Sequence, residues 1–245
     1  MIIRLLSAAL AAGFIAAAVV SGLELTLTSP LILAAERYEH AEPSHQASKA
    51  LPIVLAHGGH EHATPEAAPE WQPAEGLPRM AFTALATLVG GVGYALLLGA
   101  VMLACGREPT PPTCLAFAIA GFGSVALAPG LGLPPELPGS EAAPLAARQA
   151  WWVMTAAATG MGLYLIAIRR SLIAILGGLV LLIAPHVAGA PQPPTGASEL
   201  PAALAAQFAA RSLAISFVFW VMIALGFGWA WQAFARDNAR GSARA

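Results

Sequence analysis

Charge is scarce in this chain. Only 10% of its 245 residues are Asp, Glu, Lys or Arg, against roughly 25% in an ordinary soluble domain. Lysine occurs once, at Lys49, and aspartate once, at Asp237. A Walker A loop ends in Lys followed by Ser or Thr; Lys49 is followed by Ala50, so any energy source must be a gradient or another protein. With so few basic residues and a net charge of −1, nucleic acid is not an expected partner, because such binding rests on Lys and Arg meeting phosphates. Cysteine is nearly absent too. Cys105 and Cys114 flank the short segment GREPTPPT and read as small apolar residues at helix ends rather than as a disulfide.

What fills the chain instead is apolar. Hydrophobic residues make up 58% of it and mean hydropathy is +0.70. Apolar runs at about residues 5–29, 80–104, 115–133, 151–168, 172–190 and 213–234 each approach the ~20 residues that cross a bilayer core as a helix. The expectation is an all-α, polytopic membrane helix bundle of six spans in a single domain over residues 1–245. Residues 35–79 form a long His/Glu/Pro-rich external loop, mostly disordered by composition. The first run also has the charged start and apolar centre of a signal peptide. Apolar character resumes after Glu24 and continues through LTLTSPLILAA, which favours a retained helix.

The positive-inside rule sets the orientation. Six spans with both termini cytoplasmic put Arg4, Arg107, Arg169, Arg170, Arg236, Arg240 and Arg244 inside a bacterial inner membrane. All but one of the glutamates, and all six histidines, then fall outside or at the outer edge. Glu24, some 20 residues beyond Arg4, falls about 30 Å along a helix and hence at the outer interface, leaving the interior without an ionisable group. Thr83, Thr87, Ser124, Thr155, Thr159, Ser212 and Ser216 either line a polar seam or bond helix backbones. Small-xxx-small pairs, Ala86/Gly90, Ala95/Gly99, Ala156/Gly160, Ala158/Gly162, Ala174/Gly178 and Ala224/Gly228, imply close helix packing. Trp151, Trp152, Trp229 and Trp231 read as interfacial belts.

One-sided placement of imidazole and carboxylate suits capture of a cation. HGGHEH offers His57, His60 and His62 as borderline nitrogen ligands. It is not a zincin motif, which needs His-Glu, two residues and His; His60–Glu61–His62 is followed by Ala63 and Thr64. The glycines suit a loose collector, and a plain solvated loop is the competing reading. Glu36 and Glu39 in AERYE lie three apart, on one face of a helix. Glu136 lies in PPELPG, and His186 follows Pro185, which is expected to break the helix and free carbonyls. Arg148 is read as a carboxylate partner or a snorkelling residue. Together Glu36, Glu39, Glu136 and His186 are a candidate divalent-metal site at one membrane edge.

With AERYE, GLPPELPG and PHVAGAP in one six-span chain, the sequence resembles the CbtA family of cobalt transporter subunits. That resemblance implies cobalt as the transported ion with no permanent cofactor, a link to cobalamin synthesis, and a small single-span His-rich CbtB-like partner. Membrane lipid surrounds such a bundle, and a homo-oligomer stays open. Two other classes stand beside it: a non-transporting metal receptor for a separate permease, and a membrane enzyme using Glu136, His186 and Arg148.

Overall fold

A computed structural model describes residues 2–39, 73–74, 76–193 and 200–242, with the backbone alone for residues 39 and 237–242. All regular structure among the described residues is helical. The helices are α1 (Ile2–Leu23), α2 (Ser29–Glu39), α3 (Leu77–Ala104), α4 (Pro111–Phe122), α5 (Ala128–Gly132), α6 (Leu145–Tyr164), α7 (Leu172–Ala188) and α8 (Ala202–Ser242). Three π-helical turns are inserted: π1 (Glu24–Thr28), π2 (Gly123–Leu127) and π3 (Leu165–Arg169).

Two of those turns have a sequence cause. A proline inside a helix has no N–H for the carbonyl four residues back, and its ring crowds that carbonyl. Pro30 follows π1 and Pro129 follows π2. Ahead of each proline the chain widens, so that Ser29 N–H reaches the Glu24 carbonyl and Ala128 N–H reaches that of Gly123. The helices therefore continue through their prolines, and α1, π1 and α2 form one apolar rod from Ile2 to Tyr38. Residues 35–39 and 77–79, expected in the loop, are helical. Pro185 departs from expectation in the same way. It sits inside α7, which runs on to Ala188 and stops at Gly189, with φ 81°.

Five helical stretches are long and apolar enough to cross a membrane: Ile2–Tyr38, Leu77–Ala104, Pro111–Gly132, Leu145–Arg169 and Ala202–Arg236. The sixth apolar segment, α7, has 17 residues, about 25 Å of helix, slightly less than a ~30 Å hydrocarbon core. Large apolar side chains stay exposed on the bundle's outside, among them Ile3, Val89, Ile173, Val180 and Val187, as lipid-facing residues do. Glu36 near the end of α2 and Arg79 in the first turn of α3 meet at one end of the bundle, called here the loop end.

The core joins α1, α3, α4 and α8. Ala8, Ala9, Ala12 and Ala16 of α1 are fully buried against α3 and α8, beside Met102, Ile223 and Phe227. Gly13 faces Val92 and Gly91 so closely that a Cβ on Gly13 would lie 2.6 Å from the Val92 backbone nitrogen. Gly162 of α6 and Gly178 of α7 meet in the same manner, each Cβ position 2.7 Å from the other's carbonyl oxygen. Ala95/Gly99 and Ala224/Gly228 are packed as their spacing suggests, against Phe227 and Pro111. Ala86/Gly90 is not: Ala86 is exposed and Gly90 has open space beside it.

The tryptophan pairs divide. Trp152 and Trp229 are exposed, whereas Trp151 and Trp231 are buried, so only one of each pair serves an interfacial belt. Arg4 lies over the Trp231 ring at 4.0 Å and donates from Nε to the Trp231 carbonyl at 2.8 Å, tying the start of α1 to α8.

Gly13→Ala is expected to destabilise the detergent-solubilised protein by about 1–3 kcal/mol through overpacking, read as a lower midpoint of thermal aggregation by size exclusion. Gly93→Ala, whose added methyl meets nothing within 4 Å, is the control and should leave the midpoint unchanged.

Candidate functional site

The expected ligands lie towards one end of the bundle. Glu36 is on α2, Glu136 in the turn between α5 and α6, and His186 in the last turn of α7. Leu31 and Ala35 of α2 pack with Leu137, under a cover of Leu200, Leu204 and Phe208. That small cluster brings the Glu36 and Glu136 segments to the same end.

Both carboxylates are held by arginine. Arg79 Nη2 meets Glu36 Oε1 at 2.6 Å, and Arg148 Nη2 meets Glu136 Oε2 at 3.0 Å. Arg148 is thus the carboxylate partner, one of the two roles read for it. His186 is exposed, and its ring packs edge-on to Trp151 at 6.2 Å between centroids. Glu39 ends α2, with its side chain outside the description, and His57, His60 and His62 lie outside the described residues. Among the described residues, no three of His, Cys, Asp and Glu come together as a metal cage.

What sequence reasoning passed over lies deeper. A cavity of about 1100 Å³ opens between α1, π1, α2, α3 and α8, with Trp152 of α6 and Val125 and Ala126 of π2 on its far side. Arg79 is in its wall near the loop end, and Val20, Tyr94 and Trp220 are in its wall further in. Its one carboxylate is Glu24. Twelve residues separate Glu24 from Glu36, about 18 Å along the rod. Eight residues separate its partner Thr87 from Arg79, about 12 Å along α3. Counted from Arg4, Glu24 falls about 30 Å along the helix, towards the outer interface, and there it lines a half-open cavity between the helices.

Hydroxyls surround it. Thr28, Thr83, Thr87, Ser212 and Ser216 line the cavity, Thr83 and Thr87 four residues apart on α3 and Ser212 and Ser216 four apart on α8. Thr87 Oγ1 lies 3.1 Å from Glu24 Oε2 and 3.0 Å from the Thr83 carbonyl. Thr83, Thr87, Ser212 and Ser216 thus line a polar seam, and Thr83 and Thr87 meet the backbone-bonding reading as well, Thr83 donating to the Arg79 carbonyl at 3.0 Å. Ser124 instead donates to the Ala120 carbonyl at 2.7 Å, the backbone-bonding alternative. Thr155 and Thr159 are buried on α6 with no partner for their hydroxyl oxygens. A signal for Glu24 was present: an ionisable residue inside a long apolar run is a functional candidate by default. The count of about 30 Å from Arg4 set it at the outer interface instead.

The two rim ion pairs are partly exposed, and surface pairs contribute about 0.2–1 kcal/mol. Arg148→Ala is therefore expected to lower thermal stability by no more than about 1 kcal/mol, a difference that shrinks at high salt; thermal unfolding in detergent at two ionic strengths checks it.

The sequence model of one protein family, described as "Probable cobalt transporter subunit (CbtA)", matches residues 2–232 of the chain. No curated protein and no solved structure matches it significantly.

Proposed function

This chain belongs to the CbtA family, and from that premise we propose that it is the membrane subunit of a divalent transition-metal uptake system, with cobalt as the ion, captured at the external face through His and carboxylate ligands. The match over residues 2–232 is the observation that carries the reading. The proposed orientation is that of a bacterial inner-membrane protein with both termini cytoplasmic, so that the loop end faces outward. His57, His60 and His62 then collect the ion, and Glu36, Glu39, Glu136 and His186 receive it.

The ion pairs supply a physical form for that transfer. A carboxylate held by arginine is fixed in place, and an exposed pair of this kind is worth about 1 kcal/mol or less. A divalent ion displaces Arg79 from Glu36, or Arg148 from Glu136, at small cost. Nitrogen ligands give the outer stage its preference for cobalt, nickel or zinc over magnesium or calcium, because imidazole suits the borderline metals. The partner for this stage is a small single-span His-rich subunit of the CbtB kind. The reading of a receptor serving a separate permease drew on a membrane interior free of ionisable groups; Glu24 in the cavity wall favours the transporting reading instead.

Cells carrying the gene should accumulate radiolabelled cobalt faster than cells without it, with nickel and zinc competing. Glu136→Ala combined with His186→Ala should lower accumulation by about tenfold, the lower range for losing groups that hold a metal; unchanged accumulation removes these two residues from the site. Deletion of residues 57–62 should lower uptake at scarce cobalt and leave it near normal at saturating cobalt.

A further inference from the structure

We infer that Glu24, with the hydroxyls of Thr87 and its neighbours in the same cavity, is an intramembrane station for the divalent cation, which binds there with most of its water retained. The inference rests on the uptake reading above for the identity of the ion, and on the geometry of the cavity for the site.

The first argument is charge. An ionised carboxylate in a low-dielectric interior must be neutralised by a proton, a cation or a paired side chain. No salt bridge to Glu24 exists among the described residues. The nearby arginines are engaged elsewhere: Arg79 with Glu36, and Arg211 with the Leu27 carbonyl at 2.9 Å. Thr87 gives Glu24 its one hydrogen-bond contact, and its single proton is shared with the Thr83 carbonyl. An ionised carboxylate has about four lone-pair sites. Most of those at Glu24, which lines the cavity, therefore have no partner among the described residues.

The second argument is access and room. The cavity volume of about 1100 Å³ compares with about 30 Å³ per water in the liquid, so a hydrated ion fits with space around it. The wall near the loop end carries Arg79, which is the same arginine that holds Glu36. A cation that takes Arg79's place at Glu36 is already at the cavity's edge, about 12 Å of α3 from Thr87.

The third argument is the backbone. π turns recur at functional sites, and π1 starts at Glu24 while residues of π2 line the opposite wall. Within π1 the Leu27 carbonyl accepts from Arg211 at 2.9 Å, and Arg211 is not among the residues that line the cavity.

The donor set is all oxygen: one carboxylate, hydroxyls and water. Such a set suits magnesium, calcium and manganese as well as cobalt. Glu24 is therefore a transit station that supplies charge compensation, while discrimination between metals belongs to the nitrogen ligands of the outer stage.

Dicyclohexylcarbodiimide reaches carboxyls in apolar surroundings and couples to them covalently, so it reports on Glu24 directly. In purified wild-type protein the peptide containing Glu24 should be labelled, and cobalt(II) chloride should suppress the labelling; magnesium chloride at higher concentration should suppress it too. In cells, Glu24→Gln, matched to wild type for amount in the membrane, should take up cobalt about tenfold more slowly or worse, the range seen when groups that hold a metal are removed. Labelling indifferent to cobalt, or wild-type uptake by Glu24→Gln, overturns the inference. If wild-type cells accumulate no more cobalt than cells lacking the gene, it is the uptake reading that fails, and protection of Glu24 in the purified protein still decides this site.

Discussion

The seam along which α1 meets α3 and α8 fixes the rest of the bundle. In lipid there is no hydrophobic drive to bring helices together, so association depends on close backbone approach and shape. The first helix supplies that with Ala8, Ala9, Ala12, Gly13 and Ala16, all buried. No other helix lies on both α3 and α8 so extensively. The seam ends where the residues grow larger and polar, and above Val20 the three helices part. The cavity is the space that remains, and Glu24 is the first charged side chain beyond the seam.

Two prolines then shape the walls. Without π1 ahead of Pro30 and π2 ahead of Pro129, a proline in each rod would clash with the carbonyl one turn back and kink the helix. The widened turns absorb that conflict, keep both rods continuous and place irregular backbone beside the cavity rather than against lipid. This is where unusual backbone is tolerated in a membrane, because the freed groups find partners or water there. The Leu27 carbonyl and Arg211 make one such pairing. Function and packing meet at this point: the features that distort the helices also line the space in which an ion can travel. The proposed route has two stages, with nitrogen ligands choosing the metal at the surface and a lone carboxylate accepting its charge within.

Much of the fold was legible in the sequence. Apolar length alone located, among the described residues, the five helical stretches long enough to cross a membrane and the shorter α7, because a bilayer demands about 20 apolar residues whatever the side chains are. The family resemblance was legible too, from AERYE, GLPPELPG and PHVAGAP, and the family match extends it over residues 2–232. Less of the site was visible. Glu36 and Glu136 were picked out, but their arginines come from 43 residues away and across a turn, and pairing at that range leaves no local pattern. Glu24 was set at the interface by its distance from Arg4, and a cavity assembled from several helices has no local pattern in the sequence to announce it. Gly13, the tightest contact of α1, escaped because its partners Val92 and Gly91 sit on another helix; Ala86 and Gly90 had the expected spacing and pack against nothing.

The claim at the centre of this account is that the ion enters the cavity and meets Glu24. Diffraction from crystals of the protein soaked in cobalt, with data collected at the cobalt absorption edge, tests it most directly. The account predicts an anomalous difference peak inside the cavity, within coordination or single-water reach of the Glu24 carboxylate and lost in crystals of Glu24→Gln. Cobalt peaks confined to the outer surface, with the cavity holding none at saturating metal, would contradict it.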